Sequence, residues 1–427
     1  TGRITDLMAQ TIESGVEAGD LRREWLRSGK SRRNISLLLV APLFVYVLVT
    51  FMLPIGLVLY RSVENSELAQ ALPQTAAELS QWRPTDPADL PPDAVFTTFS
   101  RELVSAERQD VAELARRLNY EISGLRTIVM STARKMRAAK AAPSDANARQ
   151  VLAEIDPHWN EPAYWHAMKR AAPHYTPYYL LAALDLRQAD DGAIVRAPED
   201  QRTFVDILLR TLRISAIVTL VTLLLGFPYA NLMATAGKRF SMFLMIAVML
   251  PFWTSLLART SAWIVMLQKE GLINTFLGYL GLIDRPLELI FNTTGLYIVM
   301  VHMMLPFMVL PIFATMKGIP PHFMRASASL GGHPVRGFLH VYLPMTLPGV
   351  GAGALLTFIV TAGYYITPSL VASARDQMVG YFIAFFANKT INWGMASALG
   401  IMLLACVAAI YMIAARTVGV RQLAGLR

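Results

Sequence analysis

Two ionisable side chains, Arg259 and His302, stand inside long apolar runs, where a polar group is costly and is by default a candidate for function. Arg259 follows Trp253, Thr254 and Ser255, which come shortly after Pro251. A proline that bends the helix there would turn two hydroxyls and an aromatic face toward a passage. Tyr364 and Tyr365 in a later run could complete it, since aromatic faces suit amine cations. Each residue also has a plainer use: Arg259 can snorkel to the interface, His302 can hydrogen-bond between packed helices, and the aromatics can pack at the interface. His158, His166 and His174 recur every eight residues near Trp159, Trp165, Tyr175 and Tyr178. With neither cysteine nor clustered carboxylate beside them, a docking surface fits better than a metal site, and no metal is expected. No phosphate-cradling loop occurs, because Gly237-Lys238-Arg239 lacks both the first glycine and the following hydroxyl residue. No catalytic residue is expected.

A mechanical element is written more clearly than a chemical one. In Arg325-Ala-Ser-Ala-Ser-Leu-Gly331-Gly-His-Pro334-Val-Arg-Gly-Phe338-Leu-His-Val341-Tyr-Leu343-Pro344, small residues from Ala326 to Ala328 let a short helix approach another body closely. Gly331 and Gly332 permit the left-handed turn that ends it, and Pro334 prevents its continuation. Phe338, Val341 and Leu343 can fasten the next piece to an apolar bundle while the first stays exposed. The plain alternative is an ordinary helical hairpin at the surface.

The elements that must hold these residues are membrane helices. The chain has 427 residues, 54% hydrophobic and only 16% charged, too apolar for an ordinary soluble protein. Its net charge of +9 lies in short clusters beside apolar runs and forms no aromatic-interleaved patch, which argues against nucleic acid. The lone Cys406 excludes a disulfide framework or thiolate cluster within the chain. Six stretches are long enough to cross a bilayer: Ile35 to Leu59, Thr211 to Met233, Ser241 to Leu267, Leu296 to Met316, Pro348 to Val371 and Trp393 to Ala415. The first extends past the short core of a secretory signal and reads as a retained helix. Arg3, Arg22, Arg23, Arg27, Lys30, Arg32, Arg33, Lys238, Arg239, Lys317, Arg325, Arg336, Arg416, Arg421 and Arg427 fall on one side; the other side's short loops carry only Lys269, Arg285, Arg375 and Lys389. Both termini are therefore expected in the cytoplasm. Residues 61–210, of soluble composition, become a periplasmic insertion; Val111, Leu114, Leu118, Ile122, Leu125 and Val129 form one apolar stripe in it. The expectation is an all-α integral membrane protein with six transmembrane helices and a large, mainly helical periplasmic insertion between the first and second.

The stretch from Arg325 to Pro344 resembles the coupling-loop signature of permease subunits in binding-protein-dependent ABC importers, on Ala326, Gly331, Phe338, Val341, Leu343 and Pro344. It departs from that pattern where Arg325 stands for the leading Glu and Ser327 for the second Ala. The runs from Leu212 to Pro228, Leu250 to Trp263 and Glu270 to Asn274, with Pro306-Phe307, are similar to the spermidine/putrescine-type subfamily. The resemblance covers about Thr211 to Ala415 and leaves the insertion unexplained. It implies a transport subunit of the bacterial inner membrane that moves a small amine-bearing, polyamine-like solute inward by alternating access. It also implies coupling residues Arg325, Ala326, Ser327, Ala328, Leu330, Gly331, Gly332, Pro334, Phe338, Leu343 and Pro344. The implied partners are a homologous second permease, two ATP-binding subunits that hold ATP and Mg, a periplasmic solute-binding protein and membrane lipid; this chain binds no cofactor. The expected organisation is a cytoplasmic leader (1–34), first helix (35–60), insertion (61–210), five-helix permease core (211–417) containing the coupling loop (319–345), and cytoplasmic tail (418–427). An amino acid derivative, a phosphonate or an opine-like solute is the alternative cargo, because the six runs contain no Asp or Glu. That same lack weighs against an ion-coupled secondary transporter.

Overall fold

The computed structural model describes residues 38–139, 147–189 and 192–418. The leader, with its cluster of arginines, and the tail beyond residue 418 lie outside the described residues. Among the described residues five helices are long and apolar enough to cross a membrane, and a sixth crossing is formed if one sharply bent pair counts as a single span. An all-α membrane protein is the architecture, with one exception among the described residues, an antiparallel hairpin of Leu186–Gln188 and Ile194–Arg196 turned at Gly192. The chain divides into 1–60 and 61–427; the first helix, Leu38–Arg61, belongs almost wholly to the former.

Three spans differ from their expected limits, each for a local reason. The second runs Phe204–Thr235, beginning inside the segment assigned to the insertion. Asp206 and Arg210 in its early turns hide that start in a hydropathy reading, and Asp206 puts an acid in a helix expected to have none. The third is not one rod: Lys238–Met249 passes through a 3-10 turn at Leu250–Trp253 into Leu256–Leu267, bent by 101°. Pro251 withholds an amide there, and extended backbone at Thr254 and Ser255 completes the break. The fifth span is Pro334–Ala362, not Pro348 to Val371. Pro344 and Pro348, which read as a boundary, are absorbed because a π-helical stretch at Phe338–Tyr342 precedes them. Gly363 ends the helix, and Ile366–Val371 forms a separate short one. Fourth and sixth spans, Thr293–Lys317 and Trp393–Val418, lie close to expectation.

Spans two, four and five form the centre of the bundle. Gly226 admits Met308, Gly349 lies so near Thr315 that a Cβ would come within 2.5 Å of its Oγ1, and Gly353 lies likewise against the carbonyl of Met308. Gly349 and Gly353 are spaced as in the small-residue motif that lets membrane helices touch backbone to backbone.

The segment between the first and second spans is a helical lobe with its own core: Trp159, Trp165, Phe96 and Phe99 interlock, all buried. The predicted stripe from Val111 to Val129 is carried by two helices, Arg108–Glu121 and Leu125–Ala139, parted at Gly124 with φ +95°. The lobe stands on the bundle through Tyr179, which packs onto Gly394 at the start of the sixth span. Buried Asp185 also ties lobe to bundle, its carboxylate accepting from the amides of Thr203, Phe204 and Val205 at 2.9–3.1 Å and so neutralising the positive end of the second span.

Candidate functional site

The fourth span ends at Lys317, and after Gly318 and two prolines the helix His322–Ser329 begins. Its end is a Schellman turn. The Gly332 amide donates to the Ser327 carbonyl and the Gly331 amide to that of Ala328, both at 3.0 Å, with Gly331 at φ +79°. His333 then caps Pro334–Gly337 through Nδ1, which accepts from the Val335 amide. Two glycines bring the limbs together, since a Cβ on Gly332 would meet the Ser327 carbonyl at 2.8 Å and one on Gly337 its Oγ at 3.1 Å. Ser327 therefore locks the elbow internally, whereas Arg325, Ala326 and Ala328 are exposed and Leu330 is 89% exposed. The second limb is rooted in the bundle. The Phe338 ring meets Phe227 edge-on at 6.4 Å, and Tyr342 packs against the cluster of Ala230, Met233, Val309 and Ile312. Val341 and Leu343 are half-buried; Pro334 and Pro344 remain at the surface.

The elbow and the lobe occupy opposite ends of the bundle. Ala230 and Met233, late in span two, share a cluster with Met316 and Tyr342, while Ile207 and Leu208 at its beginning pack with Tyr179 and Met395.

The polar residues foreseen along a passage are only partly brought together. Arg259 is half-buried, donates from Nη2 to the Thr254 carbonyl at 3.1 Å and lies over the Phe252 ring. His302 Nδ1 accepts from Trp263 Nε1 at 3.1 Å, so it bridges the third and fourth spans. Tyr364, half-buried, packs with Trp263 and Met303 on the same cluster. Trp253, 87% exposed, and Tyr365, whose Cβ lies against Gly380, face elsewhere. Thr254 and Ser255 are exposed at the break. Thr260 and Thr367, paired at 3.3 Å between the bent helix and Ile366–Val371, were not singled out by sequence, nor was Trp263. Hydroxyls inside apolar runs were the available signal. In the lobe, His158 and His174 are exposed whereas His166 is buried on Trp82, so the three histidines do not converge. Among the described residues no group of three or more possible metal ligands occurs.

No family model matches the chain. It is 40% identical over 193 residues to the inner membrane ABC transporter permease protein YdcU of Escherichia coli, a match covering 42% of this chain and 59% of that one. It is 30% identical over 200 residues to the spermidine/putrescine transport system permease protein PotB of the same species, covering 47% of this chain and 73% of PotB. The molybdenum transport permease ModB of Mycobacterium bovis is 23% identical over 227 residues. Among solved structures, a bacterial alginate ABC transporter in complex with its alginate-bound periplasmic protein matches 52% of the chain with a TM-score of 0.41 and 15% identity. Helices that cross a membrane and relatives that are transport subunits define one class of protein, the multi-pass ABC permease of the inner membrane. Within that class the chain belongs to the spermidine/putrescine-type permease family.

Proposed function

We propose that the chain is the permease half of an ATP-driven importer that carries a small amine-bearing, polyamine-like solute inward. The observation that carries this reading is the elbow: a short helix, exposed on its outer face, is locked by Ser327, Gly331 and Gly332 to a limb rooted by Phe338 and Tyr342 in the span bundle. A push on the exposed limb is transmitted to spans two, four and five because a close-packed interior moves as a body. The elbow lies in the cytoplasm and both termini with it, the lobe in the periplasm. Two separate subunits bind and hydrolyse ATP with Mg and grip the segment from Arg325 to Leu330; a homologous permease supplies the other wall, and a solute-binding protein delivers cargo from outside. This chain is not an enzyme and holds no cofactor. The polyamine class follows the named substrate of PotB. A zwitterionic or phosphonate-bearing amine is the second reading, favoured by Arg259 as the charged group beside the bend of the third span.

The test is purification of the chain with its co-encoded subunits in nanodiscs, followed by ATP turnover with solute-loaded binding protein. Spermidine or putrescine should stimulate turnover. Failure of any ATP-binding subunit to co-purify overturns the permease mechanism, and stimulation by a zwitterion alone overturns the polyamine assignment.

A further inference from the structure

The outer part of the lobe carries a stripe of one charge. The helices Arg108–Glu121 and Leu125–Ala139 run antiparallel, because Gly124 joins one pair of ends and Arg137 at the other reaches the carbonyls of Val104 and Ala106. The groove along them, about 920 Å³, is lined by Arg108, Arg126, Arg134 and Arg137 around Met130. Among the described residues no acidic one lines it. Arg137 is used in holding the fold; Arg108, Arg126 and Arg134 are exposed, and among the described residues their guanidinium groups make no hydrogen bond or ion pair. Residues 126, 130, 134 and 137 share one helix face, so the stripe extends roughly 16 Å along the axis. Like charges held in register repel one another, and a counter-surface of opposite sign removes that cost.

We infer that this groove docks an acidic face of a soluble periplasmic protein, the solute-binding protein of the transport system; the inference rests on the function proposed above. The direction of the stripe selects a protein over lipid. Tyr120 and Glu121 lie at the foot, where the Tyr178 hydroxyl donates to the Tyr120 carbonyl and Tyr179 meets the sixth span, whereas Arg137 lies at the far end beside Ala106. Arg126 lies near that foot and Arg134 about two turns farther along the helix, so one flat layer of headgroups is poorly matched to the pair. A protein face can meet both. Binding should also be steered by charge and weakened by salt.

The experiment uses the full chain in phosphatidylcholine nanodiscs and the system's own solute-binding protein, with the Kd read by biolayer interferometry. The double reversal Arg126→Glu with Arg134→Glu is expected to weaken binding by about tenfold or more. The same reversal at Arg196, exposed on the hairpin, should change it little. Poly-L-glutamate should compete, and a rise in salt should weaken the wild type more than the double variant. Thermal midpoints equal to wild type establish that the variants are folded. Equal affinity of wild type and double variant overturns the groove while leaving the importer reading intact. Absence of any wild-type binding overturns both the groove and the delivery step. Loss of binding when phosphatidylglycerol replaces phosphatidylcholine assigns the groove to headgroups and overturns the inference.

Discussion

Arg117 is held from several sides within the lobe. It is 1% exposed, lies over the rings of Tyr178 and Tyr179, donates from Nε to Asn65 at 2.8 Å and pairs through Nη2 with Glu121 at 3.1 Å; Glu121 also accepts from Arg170 at 2.8 Å. Burial pushes the Tyr178 hydroxyl up to about 12, so the ring stays neutral beneath the guanidinium. Removing one partner of a buried ion pair leaves a charge uncompensated, at a cost of roughly 3–5 kcal/mol. Glu121→Gln should therefore lower the thermal midpoint of the full chain in detergent markedly, and a midpoint equal to wild type would contradict this account. A gentler prediction concerns His158. Its ring Nδ1 lies 2.6 Å from Asp156, whose hydrogen bond raises the imidazole above its ordinary range. Because the folded-state value is the higher, the pair's stabilisation is complete below the unfolded value near ~6.5 and is lost as pH rises through the folded one. An NMR titration should place the midpoint above that of Asp156→Asn.

The elbow is the element whose design was most legible in sequence, because it is written in residues with a strict backbone meaning. Gly331 sits where φ is positive, Pro334 starts the next helix, and Phe338 reaches the bundle. Val at position 331 should cost about 1–2 kcal/mol, since a β-branched residue resists the left-handed turn. Under the proposed coupling it should also reduce solute-stimulated ATP turnover while basal turnover persists; unchanged stimulation would argue against a rigid elbow. Ser327 belongs to the small-residue run from Ala326 to Ala328 that lets the helix approach another body closely, and it also closes the elbow on itself, because a helix turn of about 100° separates it from Ala326 and Ala328 and sequence spacing alone does not say which face turns inward. The span limits were blurred where prolines are absorbed into helices, at Pro344 and Pro348, and where Asp206 and Arg210 occupy early turns of the second span. Gly349 and Gly353 escaped notice because a glycine in an apolar run shows its use only when the neighbouring helix is present. Gly353→Leu should strongly destabilise the bundle, as its Cβ alone would come within 2.9 Å of the Met308 carbonyl, and loss of monodisperse protein on size exclusion is the readout.

At the scale of the whole molecule, the bundle keeps the lobe and the elbow apart, and every element of the proposed cycle depends on that separation being a separation across the membrane. Under the proposed coupling, motion of the elbow passes through the bundle, where the contacts at Gly226, Gly349 and Gly353 leave little room for one helix to slide past another. The proposed orientation rests on the excess of lysine and arginine expected on the elbow's side. Cys406 is the chain's one cysteine, and it is half-buried in the sixth span, so a cysteine-free background is a single conservative substitution away. In Cys406→Ala, Leu330→Cys should be labelled by a membrane-impermeant maleimide in inside-out vesicles and not in intact spheroplasts, while His174→Cys, on the exposed surface of the lobe, should show the reverse. Labelling of position 330 from the outside would put the elbow beyond the reach of any ATP-driven motor, and the transmission of force through it would then have no source.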